Sequence, residues 1–164
     1  MTRLMALDVG NVRIGVALSD ASGFLASPYT TMRVSRDETQ TWEAIQRLIR
    51  ETEAEGLVVG LPISLDGEIH AQGVLIQAFV ERLKQHINIP VTFWDERLST
   101  VEAQRLRAQF EQEARGERTR SANRRAGGSA RRRRKQQEID ALAAAVILQE
   151  YLDHVSSKSE DKTI

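Results

Sequence analysis

Three acidic positions stand where an apolar element ends. Asp8 lies at the end of the run RLMALDV (3–9), the pair Asp95-Glu96 directly follows VTFW (91–94), and Asp140 sits one residue beyond Ile139 on the margin of an apolar helical stripe. A carboxylate beside a buried strand is expensive to desolvate unless it lies at the strand's open end or meets a cation. Carboxylates brought together also repel, so that some would take up protons near neutral pH. A divalent cation removes both costs. The chain has no Cys, and its three His (His70, His86, His154) are dispersed. An all-oxygen site of this kind suits Mg²⁺ or Mn²⁺ over Zn²⁺. Two such ions can clamp a phosphodiester, activating water on one side and stabilising the leaving oxygen on the other. Taken singly, each acid has an ordinary explanation: a turn, a helix cap, a surface residue. Taken together, each at the end or margin of a buried element, they point to a site.

The elements that must position these acids follow from periodicity. Runs 3–9 and 13–20, joined at Gly10-Asn11, and a third run at 25–34 are expected as three strands of an antiparallel meander. Ser35 and Glu38 have capping-box spacing and precede Trp42, Ile45, Leu48 and Ile49 at helical intervals. A short buried strand at 57–60, a helix at about 70–86 and a strand at 91–94 come next, then a helix from Ser99 capped by Glu102 and running to about Gln112. The last helix is expected from about Gln136 to His154, with Ile139, Leu142, Ala143, Val146, Ile147 and Tyr151 buried. This order implies one α/β domain over 1–155, a mixed five-stranded sheet with helices on both faces. If strands 3–9 and 91–94 are parallel neighbours, Asp8 and the 95–96 pair converge outside their carboxyl ends. Alternation lets only one of Asp95 and Glu96 face that site. The alanines at 141 and 143–145 let the last helix approach the sheet closely, bringing Asp140 to the same place.

The net charge of zero hides an asymmetry. Residues 115–135 hold ten of the 23 Lys and Arg against one acid, Glu117, so this segment carries +9 and the remainder −9. Its Arg-, Gly- and Ser-rich stretch 112–134 has almost nothing to bury and is expected as a mobile basic loop; 156–164 is expected as a disordered tail. A basic segment on an acidic body suggests a polyanionic partner. With 5% aromatic residues, recognition is expected through backbone and shape more than base stacking. No apolar run approaches the roughly 20 residues that span a bilayer, so a cytoplasmic protein without membrane contact is expected.

Four stretches, ALDVGNVRIGVALSD (6–20), VVGLPISLDG (58–67), FWDERLSTVEA (93–103) and EIDALAAAVILQEYL (138–152), resemble in order the signature stretches of the YqgF/RuvX family. The resemblance covers nearly the whole chain. It implies a ribonuclease-H-like fold and a metal-dependent nuclease acting in 5′-end processing of pre-16S ribosomal RNA. It also selects Glu96 over Asp95, giving Asp8, Glu96 and Asp140 as catalytic residues and metal ligands. Alternatives are a Holliday-junction resolvase acting on DNA, which needs a dimer to present two sites, and a non-cleaving nucleic-acid-binding ribosome assembly factor. A monomer or weak homodimer is expected.

Arg13 and Arg97 flank the acids and are candidates to hold a scissile phosphate, with an ordinary salt bridge as the competing role. Arg131, Arg132, Arg133 and Arg134 adjoin Asp140 and are candidates for sequence-independent phosphate contact. Ser99 reads as a helix cap, not a nucleophile. The loop 61–71 is either a substrate loop or a connection.

Overall fold

The computed structural model describes residues 2–98, 101, 103–106, 108, 109, 112 and 129–160. Its elements run β1 (Leu4–Val9), β2 (Arg13–Ser19), β3 (Ala26–Arg33), α1 (Glu38–Thr52), β4 (Gly56–Leu61), α2 (Ala71–Leu83), β5 (Val91–Asp95), a 3-10 turn (Glu96–Leu98) and α3 (Ser129–Glu160). Helical backbone also occurs at 101, 103–106, 108, 109 and 112, as expected there, whereas Ser99 and Glu102 lie outside the described residues.

The strands form one sheet in the order β3-β2-β1-β4-β5. β1 pairs antiparallel with β2, and β2 with β3, while β1–β4 and β4–β5 are parallel. Both parallel connections cross over through a helix, α1 or α2. β1 and β5 are therefore not neighbours: β4 lies between them. The reason is visible in β4, where all six residues of GLVVGL are buried. A strand apolar on both faces takes an interior position, covered on both sides by helices.

Alternation divides the strands between two cores. Met5, Leu7, Ile14, Val16, Leu57 and Val59 face α1 and α2, packing on Trp42, Ile45, Phe79, Val80 and Leu83. Ala6, Ala17, Val58 and Trp94 face α3, against Ala144, Ala145, Ile147, Leu148 and Leu152. The second face is built largely from small residues, so α3 lies close to the sheet. The result is three layers, helices on both faces of a mixed five-stranded sheet.

Several boundaries differ from the sequence expectation. The N-cap of α1 is Asp37, whose carboxylate accepts the Thr39 N–H at 3.0 Å. Ser35 instead donates its N–H to Thr41 Oγ1 at 3.0 Å. α3 takes in residues 129–134 and so removes them from the expected loop, while 113–128 lie outside the described residues. Arg and Ala are strong helix formers, and most of the arginines project into solvent, so this turn needs no buried face. At its other end α3 continues through 156–160, where Ser156, Ser157 and Ser159 donate hydroxyls to Leu152, His154 and Ser156 carbonyls. The buried stripe of α3 is also rotated from the expected one: Ala141, Ala144, Ala145 and Leu148 are buried, and Leu142 is exposed.

Candidate active site

Because β1, β4 and β5 are parallel, their carboxyl ends open on one edge of the sheet. Asp8 lies at the end of β1 and pairs in register with Gly15 of β2. It follows Ala6 by two residues and so shares the α3 face. Gly15 has a specific reason to be glycine. A Cβ there would lie 1.9 Å from the Asp140 carbonyl oxygen, so the backbone of α3 rests directly on β2 at this point. This contact brings Asp140 beside the strand pair that carries Asp8.

A second glycine works the same way for the third acid. A Cβ on Gly60, near the end of β4, would meet Glu96 Oε1 at 2.8 Å and Ile147 Cδ1 at 2.7 Å. Glu96 therefore lies on the α3 face, over β4. Asp95 belongs to the opposite row of β5, which continues Val91 and Phe93, and it is engaged by Arg97. Its carboxylate accepts the Arg97 backbone N–H at 2.9 Å and the guanidinium at 2.6 Å. These Arg97 hydrogen bonds hold the Asp95 carboxyl below its usual range despite partial desolvation. The same bonds, together with the charges of Asp95 and Asp66, raise the Arg97 guanidinium.

Asp8, Glu96 and Asp140 thus share one face and one edge of the sheet. Among the described residues, however, no group of three His, Cys, Asp or Glu stands close enough to hold a metal ion. Asp140 is turned toward Arg13, whose Nε donates to Oδ2 at 2.6 Å, and Gln136 Nε2 donates to Oδ1 at 3.2 Å. Both candidate phosphate-binding arginines at the site, Arg13 and Arg97, are thus paired with carboxylates.

Arg131, Arg133 and Arg134 are exposed on the first turns of α3, and Arg132 is half-buried. Arg134 makes only a 3.6 Å approach to Glu138. The loop after β4 reaches the site side: Gly67, at φ +87°, lies under Arg97, 3.4 Å from where its Cβ would be. The histidines have ordinary surroundings. His86 stacks on Trp42, His154 packs edge-on to Trp94, and His70 is exposed near Asp66. The sequence reasoning missed Gly15 and Gly60; a glycine inside an apolar strand was the available signal. No described helix is long and apolar enough to cross a membrane.

A mixed sheet of this order, two crossover helices on one face and a long terminal helix on the other, is the ribonuclease-H-like fold. The structure is similar to that of Thermus thermophilus RuvC, described in complex with Holliday junction substrate, with a TM-score of 0.50, 14% identity and coverage of 94% of this chain and 96% of that one. Residues 2–123 match the model of the RuvX family, described as Holliday junction resolvase. The chain is 43% identical over 151 residues to a protein of Roseiflexus sp. (strain RS-1) named "Putative pre-16S rRNA nuclease", covering 92% of this chain and 94% of that protein. It is 40% identical over 156 residues to a Thermoanaerobacter pseudethanolicus protein of the same name, covering 95% and 99%. The chain belongs to the RuvX family.

Proposed function

We propose that this protein is a divalent-metal-dependent nuclease that hydrolyses phosphodiester bonds in ribosomal RNA precursor, at the 5′ end of pre-16S RNA, in the cytoplasm. The substrate class comes from the names its relatives carry. The observation that carries the chemistry is the use of Gly15 and Gly60 to bring Asp140 and Glu96 onto the face and sheet edge of Asp8.

The donor set suits Mg²⁺ or Mn²⁺, since it offers only hard oxygens. Asp8, Glu96 and Asp140 would hold the ion, Asp140 once Arg13 releases its Oδ2. When bound, such an ion supplies an activated water and stabilises the leaving oxygen. The protein's own part is positional. β1 carries Asp8, the 3-10 turn after β5 carries Glu96 over β4, and α3 carries Asp140. Arg13, on Asp140, and Arg97, on Asp95, are guanidiniums able to exchange a carboxylate for a substrate phosphate. Arg131 to Arg134 extend positive charge along α3 beside Asp140, where they contact phosphates without reading bases.

The test compares wild type and Asp8→Asn on end-labelled pre-16S RNA and on a four-way DNA junction, each with Mn²⁺, Mg²⁺ or chelator. Expected is metal-dependent cutting of the RNA, reduced in Asp8→Asn by at least about 100-fold, the upper range for losing even an outer-shell partner of a metal. Cutting of the junction alone would replace the RNA assignment with a resolvase. Tight binding without cutting by either protein would sink the nuclease and leave an assembly factor.

A further inference from the structure

We infer that the groove between the edge strand β3 and the first half of α3 is a binding subsite for a single-stranded segment of nucleic acid, with one base stacked on Tyr29. The inference takes from the proposed function only that the partner is nucleic acid.

The groove encloses about 490 Å³ and is lined by Pro28, Tyr29, Thr31, Arg134, Gln137 and Leu142, among others. Its position is tied to the acidic site by strand register. Thr31 pairs with Gly15, and Gly15 pairs with Asp8, so the groove begins in the same row of the sheet, two strands away. Two strand spacings amount to about 10 Å. Thr31 also lies on the α3 face, since its hydroxyl donates to the Gln137 carbonyl at 2.6 Å. Because α3 rests on β2 at Gly15, the groove opens on the β3 side of the helix and the acidic site on its β1 side.

The lining combines what a single strand requires. Tyr29 is 48% exposed and Leu142 is 37% exposed, which leaves an aromatic ring and an apolar wall open to a base. Arg134 lies at the groove's rim with its side chain 85% exposed. Glu138, which also lines the groove, is 3.6 Å from Arg134 and 64% exposed, a weak surface pair that a phosphate can replace. One turn earlier Arg131 is exposed as well, so the approach is basic. That charge favours a polyanion over an apolar partner such as a second copy of this chain. A duplex presents its bases stacked inside, whereas a lone ring in a groove of this size takes an unstacked base.

The experiment measures binding in chelator, where no cutting occurs, so its result is independent of whether the protein cleaves. Anisotropy of a fluorescein-labelled single-stranded RNA is followed with wild type, Tyr29→Ala, Tyr29→Phe and Arg134→Gln. Expected are a loss of about five-fold or more for Tyr29→Ala, the lower end for one stacked base, and wild-type affinity for Tyr29→Phe. Arg134→Gln should lower the dependence of log affinity on log salt by about 0.7, one phosphate contact on a single strand. Photo-crosslinking of 4-thiouridine RNA to the unmodified protein should map to residues 28–31. Unchanged affinity in Tyr29→Ala with no crosslink in that segment would overturn the subsite. So would a smaller particle mass for Tyr29→Ala than for wild type in sedimentation, which would assign the groove to contact between copies.

Discussion

Two ion pairs at this end of the sheet differ in what they hold together. Arg13 and Asp140 are 127 residues apart and only about a quarter exposed, and their 2.6 Å contact ties β2 to α3. Replacing Arg13 by Gln should cost about 1 kcal/mol in urea unfolding, more than a fully exposed pair contributes. It should also tighten Mn²⁺ binding measured by calorimetry, because the guanidinium and a divalent ion compete for Oδ2. Weaker Mn²⁺ binding in Arg13→Gln would show that Arg13 orients Asp140 for the metal and does not oppose it. The Asp95–Arg97 pair is different. Its carboxyl sits below the usual range because of the Arg97 hydrogen bonds. A depressed folded value contributes stability that is complete above the unfolded value and disappears as pH falls through the folded one. Wild type and Asp95→Asn should therefore differ by a constant amount, under about 1 kcal/mol, from neutral pH down to about 4, and converge below that. Urea midpoints across this range test it; a gap that widens on acidification would contradict the assignment.

At the scale of elements, the site depends on how closely α3 lies on the sheet. Gly15 admits the Asp140 carbonyl to a place a methyl group would fill, and backbone cannot swing aside as a long side chain can. Gly15→Ala should cost about 3 kcal/mol or more in unfolding free energy, the upper range for overpacking. Gly23→Ala, with open space around it, should show only the strain of its positive φ. Equal losses in the two variants would mean that α3 yields easily. The strands were legible in the sequence because apolar runs bounded by turn residues mark them, and the mixed sheet followed from the order of elements. The neighbour relation of β1 and β5 was not legible, because intensity of burial, not chain order, puts β4 between them. The ends of α3 were missed because hydrophobic periodicity reports only the stretch that packs. An Arg-rich first turn and a Ser-rich last turn carry no stripe. Within the stripe, residue type alone assigns Leu142 to the core. In fact the small residues at 141, 144 and 145 face the sheet, and Leu142 turns outward to the groove. Asp8 and Asp140 were legible as acids at the margins of buried elements. The choice of Glu96 over Asp95 rests on family resemblance alone; Glu96 lies beside Gly60, on the face of Asp8.

At the scale of the whole molecule, charge is segregated along the chain: +9 over residues 115–135 and −9 elsewhere. Basic and acidic groups come together on α3, since Arg131 to Arg134 precede Asp140 by no more than nine residues on one helix. A polyanion held by this end is neutralised by the arginines while the acidic body repels it elsewhere, which favours one orientation on the substrate. Binding of single-stranded RNA should therefore weaken steeply with salt, through counterion release. Replacing Arg131, Arg132, Arg133 and Arg134 together by Gln keeps four good helix formers. In chelator this variant should flatten the plot of log affinity against log salt by about 3, four phosphate contacts at roughly 0.7 each. Circular dichroism should show wild-type helix content. A wild-type slope in the variant would move the phosphate contacts away from the start of α3, and with them the reason for an acidic site to stand beside it.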